Sequence, residues 1–195
     1  MEWMKKARLY MAYALCASAV LTAAVLVLEG RWREALPLHL CGLSAVIAVC
    51  AAIRPRAWML DALWYLGMPG ALLALLFPAP AVSRFQQIMN LSYGVTHLLI
   101  LAVPALLILQ GMRPGRGKAA AMLLYLNLAA IPVYAVNRLL GTDYLFLMAP
   151  PAGTPLEAAF SLGRPVYILV LEMMMALSAM GMEKLAGMLF RRNGE

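Results

Sequence analysis

The stretch Leu9-Tyr-Met-Ala-Tyr-Ala-Leu-Cys-Ala-Ser-Ala-Val-Leu-Thr-Ala-Ala-Val-Leu-Val-Leu28 runs for twenty residues without a charge. A helix of that length rises about 30 Å, the thickness of a bilayer's hydrocarbon core. Lys5, Lys6 and Arg8 stand before it, the arrangement also found in a secretory signal or in a lipoprotein signal ending at Cys16. The run is long enough to span, Cys16 follows Arg8 by only eight residues, and Tyr13 stands where a lipoprotein signal carries Leu. The segment is read as a retained membrane helix.

Outward from it, apolar runs recur over Pro37 to Ile53, Ala57 to Phe77, Phe85 to Leu109, Ala119 to Leu140 and Pro165 to Leu185, each bounded by charges, Gly or Pro. Pro37 and Pro165 are placed in first turns, where the missing N–H has no intrahelical partner to lose. The expectation is an all-α membrane protein, a bundle of six transmembrane helices. With 64% of 195 residues apolar and 13% charged, a water-soluble core is excluded. Six spans of about 21 residues leave about 69 for ends and connections, so residues 1–195 are expected to form a single integral membrane domain.

The net charge of +7 does not indicate a nucleic-acid partner, because the 16 Lys and Arg are dispersed among ends and connections with no aromatic-interleaved basic face. They act instead as topology signals. With the N-terminus inside, inner segments hold eleven: Lys5, Lys6, Arg8, Arg54, Arg56, Arg113, Arg116, Lys118, Lys184, Arg191 and Arg192. Outer segments hold five, Arg31, Arg33, Arg84, Arg138 and Arg164, so both termini are expected in the cytoplasm. The segment Gly141 to Pro155 is too apolar for a relaxed loop and too short and proline-broken to span. It is read as re-entrant or interfacial; a re-entrant backbone is tolerated only where protein or water covers it, so it would lid a cavity. Trp58, Trp64 and Asp61 read as interfacial anchors.

Polar side chains are costly in hydrocarbon and should face the bundle interior. The inventory is short: His39 and Cys41 on helix two, Asn90 and His97 on helix four, Asn137 on helix five with Asp143 and Tyr144 after it, and Glu172 on helix six. A thiol in apolar surroundings is inert until a base takes its proton. His39 and Cys41, two apart, would lie about 200° from each other around a regular helix, which leaves His97 as the base. Glu172 or the Asn137/Asp143 pair would orient the imidazole or hold substrate, as the third member of a triad does. Cys16 and Cys50 read as small hydrophobes, and the three cysteines form neither a disulfide framework nor a zinc-type spacing. Asn90-Leu-Ser92 matches a glycosylation pattern but lies within an apolar run, so it is discounted. No phosphate-binding glycine motif is present, and no cofactor is expected.

Leu36-Pro-Leu-His-Leu-Cys-Gly-Leu43, Trp64-Tyr-Leu-Gly-Met-Pro-Gly-Ala71 ending at Pro78, Thr96-His97, Asn137, Gly141-Thr-Asp-Tyr144 and Pro150 together resemble the YwaF-like family of six-helix membrane proteins, the relatives of transmembrane protein 164. The resemblance covers about Leu36 to Leu177. It implies a fatty-acyl transferase acting on phospholipid or lysophospholipid, with Cys41 and His97 as the catalytic pair, in a bacterial plasma membrane. Asp143 departs from the Asn expected before the Tyr. Two rivals come from other classes: a small transporter or lipid scramblase using the same polar cavity, and a zinc hydrolase built on His39, Cys41, His97 and Glu172, disfavoured by the 200° argument.

Overall fold

The computed structural model describes residues 2–78, 82–151 and 153–190, and these are helical or in turns, with no strand among them. Five helical segments are long and apolar enough to cross a membrane: Glu2–Leu28, Ala57–Leu76, Gln86–Leu109, Ala119–Leu140 and Arg164–Leu189. Large apolar side chains cover their outside, with Leu28, Leu109 and Leu139 76%, 77% and 83% exposed, a surface that water would not tolerate and lipid would. The chain is an integral membrane protein. Arg191 and Arg192, counted among the inner charges, lie outside the described residues.

Two compact units are present, Met1–Gly115 and Arg116–Glu195. In the first, α1 (Glu2–Leu28), α2 (Leu40–Ile53), α3 (Ala57–Ala62), α4 (Met68–Leu76) and α5 (Gln86–Leu109) pack around α2. Helix α2 has only 14 residues and begins at Leu40, three residues later than the sequence predicts. His39 is extended, with φ −68° and ψ 157°, and the first helical bond runs from Leu43 N–H to the His39 carbonyl at 2.9 Å. The cause is a close approach: a side-chain carbon on Gly42 would meet the Pro37 carbonyl carbon at 2.7 Å, so the chain folds back over the helix start instead of continuing it. Ala45, Ala48, Ala51 and Ala52 are buried, and their small size brings α1, α3 and α5 close around the short helix.

Between α3 and α4 the helix widens over Leu63–Gly67, where Met68 N–H reaches the Leu63 carbonyl five residues back. Pro69 explains it. Proline has no N–H and its ring collides with the carbonyl four residues earlier, here that of Tyr65, and an extra residue in the turn relieves the collision. Of the expected interfacial anchors Trp58 is exposed, whereas Trp64 and Asp61 are buried. Asp61 accepts from Gly115 N–H at 2.6 Å and the Tyr65 hydroxyl donates to the Gly115 carbonyl at 2.8 Å. These bonds tie the turn after α5 to the segment that follows α2.

Helices α1 and α5 are joined by a hydroxyl clasp. Ser18 Oγ lies 2.7 Å from both Ser92 Oγ and Thr96 Oγ1, Thr22 Oγ1 lies 2.6 Å from Ser92 Oγ, and Ser18 and Ser92 each also donate to the other's carbonyl at 2.9 Å. At the far end of α1, Glu29 gathers the turn ahead of α5: Ser83 Oγ and Arg84 N–H both donate to its Oε1 at 2.7 Å.

In the second unit α6 (Ala119–Leu140) packs on α8 (Arg164–Leu189), with the short α7 (Leu156–Ser161) against α8. Pro165 stands in the first turn of α8, as expected. The Glu183 carboxylate caps the start of α6, accepting from the N–H groups of Gly117, Lys118 and Ala119 at 2.6, 3.1 and 3.3 Å. Gly141, at φ 69°, ends α6 in the left-handed conformation that glycine adopts without a side-chain penalty.

Two predictions follow from these contacts. Removing the clasp with Ser92→Ala should destabilise the protein in detergent by about 0.6–1.7 kcal/mol, the range of interhelical hydrogen bonds in membranes, whereas an unchanged unfolding midpoint would show the clasp to be incidental. The Ser83 hydrogen bond, joined by that from Arg84 and the nearby Arg31 charge, holds the Glu29 carboxyl below its ordinary value of 4.5 against the opposing effect of burial. A depressed folded-state pKa stabilises above the ordinary value and is lost as pH falls through the folded one. Protection of the Arg84 amide against hydrogen exchange should therefore drop on acidification below about 4.5 in the wild type, and should not respond to that acidification in Glu29→Gln, whose amide oxygen does not titrate.

Candidate functional site

His97 is buried in the middle of α5, 3% exposed. Its Nδ1 lies 2.7 Å from the Tyr93 carbonyl one turn earlier. A carbonyl only accepts, so Nδ1 carries the proton and Nε2 the lone pair. Tyr93 also stacks on the imidazole, ring centroids 4.1 Å apart and planes inclined 39°, and its hydroxyl donates to the Ala74 carbonyl on α4 at 2.7 Å. The ring is thereby held from its backbone side and from its face. Sequence reasoning looked for the orienting group in Glu172 or the Asn137/Asp143 pair; it is a main-chain carbonyl, which no residue type advertises.

Cys41 is the second residue of α2, half-buried against the core that includes Ile100 and Val103 of α5. The sequence placed it one turn inside the helix. At the observed position the N–H groups of Leu40, Cys41 and Gly42 belong to the open first turn, free of intrahelical acceptors, and the positive end of the helix dipole surrounds the thiol. Among the described residues no hydrogen bond joins Cys41 to His97. Helices α2 and α5 pack on each other. Cys16 and Cys50, by contrast, are exposed on the outer surface.

His39 lies outside the helix as its N-cap, so the 200° separation expected on a regular helix does not describe it. Asn90 shares a helical face with His97 by its spacing, but it is exposed and accepts from Gln86 Nε2 at 2.9 Å, away from the buried ring. Among the described residues no group of three His, Cys, Asp or Glu side chains is placed to hold a metal ion.

In the second unit the polar residues organise a turn. Asn137, 1% exposed, donates from Nδ2 to the Tyr144 carbonyl at 2.9 Å and accepts at Oδ1 from Tyr144 N–H at 2.8 Å and from the Thr142 hydroxyl at 3.0 Å. Asp143 accepts from Met148 and Ala149 N–H at 2.8 and 3.2 Å. The Tyr167 hydroxyl donates to the Phe146 carbonyl at 2.6 Å, and Arg164 donates to the Leu147 carbonyl at 2.9 Å. These bonds hold Leu145 and Phe146 at φ 59° and 54°, a strained conformation for bulky side chains. Asp143 serves the backbone of the turn. Glu172 accepts from Asn127 Nδ2 at 3.1 Å on an exposed face of α6 and α8.

Asn137→Ala would leave the Tyr144 N–H and carbonyl without their buried partner, so a loss of about 2–6 kcal/mol is expected at about 1–3 kcal/mol per orphaned group. Thermal unfolding measures it, and a variant as stable as the wild type would contradict the assigned role.

The family model described as the TMEM164 family matches residues 2–182. No curated protein and no solved structure matches the chain. The match spans both units, the Cys41 and His97 positions and the Asn137 turn, and on that extent the chain belongs to the TMEM164 family.

Proposed function

We propose that the protein is a membrane-embedded fatty-acyl transferase that moves an acyl chain between phospholipid and lysophospholipid through a thioester on Cys41, with His97 as general base and no cofactor. The observation that carries this reading is the bond from His97 Nδ1 to the Tyr93 carbonyl, because it presents Nε2 as a proton acceptor on a fixed ring. Two further features support it: α2 and α5 pack on each other, and the first-turn N–H groups beside Cys41 have no intrahelical acceptors.

The chemistry balances without a co-reactant. The Cys41 thiol proton passes to His97 Nε2 as sulfur attacks the acyl ester carbonyl. The oxyanion that forms is met by N–H groups of the first turn of α2, the same groups that favour the thiolate. The C–O bond breaks, the lyso-lipid alkoxide takes the proton from His97, and the acyl group remains on sulfur. A second lyso-lipid hydroxyl then gives its proton to Nε2 and attacks the thioester, and the departing thiolate recovers the proton. Depth in the bilayer keeps water scarce, so transfer outruns hydrolysis.

The reading includes a six-span topology with α2 as a short sixth crossing, both termini in the cytoplasm of a bacterial cell, and the 141–155 segment at or dipping into the membrane interface. Cys41→Ala should abolish acyl exchange between defined lipids in purified protein, and His97→Ala should lower it by about 10²–10⁴. Cys16→Ala, which alters an exposed cysteine, should leave it intact. Equal activity in Cys41→Ala and Cys16→Ala would overturn the proposal, and lipid movement that survives Cys41→Ser would point to a transporter or scramblase.

A further inference from the structure

Among the described residues no carboxylate pairs with Arg8. It sits two turns into α1, immediately before the uncharged run that begins at Leu9, and is only 9% exposed. Among the described residues its Nε and Nη1 are buried with no hydrogen-bond partner, and no carboxylate forms an ion pair with it. The sequence reading treats Arg8 as one more topology signal. A positive charge kept only for topology would extend to water like its neighbours Lys5 and Lys6, since an arginine stem is long enough to snorkel. Burying a guanidinium without an acceptor is strongly unfavourable, so the position calls for an anion.

Arg8 opens on a cleft of about 380 Å³ lined by Glu2, Met4, Lys5 and Gln110. Glu2 is exposed and stands 3.9 Å from Lys6, so the cleft carries two cations, Arg8 and Lys5, against one carboxylate at its rim. Gln110, at the end of α5, adds an amide. The level in the membrane follows from the chain itself: α1 is polar up to Arg8 and apolar from Leu9, and Trp3, 66% exposed, lies one turn further out, where indole rings collect at the head-group boundary. A guanidinium fork at that depth matches the oxygens of a phosphate, and the second cation favours a ligand with net negative charge.

We propose that the Arg8 cleft is a binding site for the phosphate of an anionic phospholipid, at the end of the first unit that carries the N-terminus. The site is separate from the thiol chemistry: Leu109, the end of α5 beside Gln110, is twelve positions on from His97, about 18 Å along the helix, so the bound lipid is a resident or regulatory one and is not the acyl donor.

Native mass spectrometry of the full-length protein released from nanodiscs tests it, with phosphatidylglycerol, phosphatidylcholine and inorganic phosphate as probes. The wild type should retain phosphatidylglycerol in preference to phosphatidylcholine. Arg8→Gln should lower that retention about ten-fold or more, as loss of a charge-assisted contact implies. Lys5→Ala should lower it a few-fold, and Lys184→Ala, which removes an exposed lysine of the other unit, should leave it unchanged. If Arg8→Gln fails to fold, the Lys5→Ala and Gln110→Ala pair decides. Retention unaffected by these changes, or equal for the two lipids, would overturn the proposal. Capture of inorganic phosphate in place of lipid would overturn the lipid assignment by showing a free-anion site.

Discussion

Rotation of α5 about its own axis is the constraint on which the rest of the first unit depends. Ser92 and Thr96, one turn apart, are held against Ser18 and Thr22 of α1 by hydroxyl bonds of 2.6–2.9 Å. Successive helical residues are about 100° apart, so fixing Ser92 and Thr96 on α1 turns Tyr93 and His97 away from it. The Tyr93 hydroxyl then finds the Ala74 carbonyl of α4, and the imidazole is clamped behind it. In lipid, where apolar contact between helices gains little, such bonds and the small residues that permit close approach are what select one rotation from many.

The start of α2 depends on the same economy of space. Gly42 admits the Pro37 backbone, the chain crosses the helix opening, and Cys41 falls in the first turn, where amide donors have no intrahelical acceptors. The alanines behind it, Ala48 and Ala51 fully buried and Ala52 nearly so, let α1, α3 and α5 surround a helix of 14 residues. The widened turn over Leu63–Gly67 is the local answer to Pro69 and sets Tyr65 and Asp61 on the turn after α5. Each of these adjustments places a polar group, and none of them forms a polar cavity by composition alone.

The helices were legible because an uncharged run of about twenty residues has one stable solution in a bilayer. Gln86–Leu109 and Ala119–Leu140 match the sequence reading within a residue, since charges and glycines punctuate them. The start of α2 was misread because a proline at the head of an apolar run looks like a first-turn proline, whereas Pro37 is spent on a turn that only the Gly42 contact reveals. Cys41 and His97 stood out as rare polar residues in hydrocarbon. Their partners did not: the Tyr93 carbonyl is main chain, the clasp uses serines and threonines that occur throughout membrane helices, and Arg8 looks the same in sequence whether it snorkels or is buried. Asn137, Asp143 and Tyr144 were found together by proximity in sequence, but their work is on the backbone of the turn, which residue type alone does not show.

The central claim is that Cys41 becomes acylated. Intact-protein mass measurement after incubation with a phospholipid of defined chains tests it most directly, with peptide mapping to locate the adduct. The account predicts an increment equal to one acyl group, on Cys41 alone, released by neutral hydroxylamine and absent in His97→Ala. An unmodified Cys41 under conditions where acyl exchange is proceeding, or an adduct confined to Cys16 or Cys50, would contradict it.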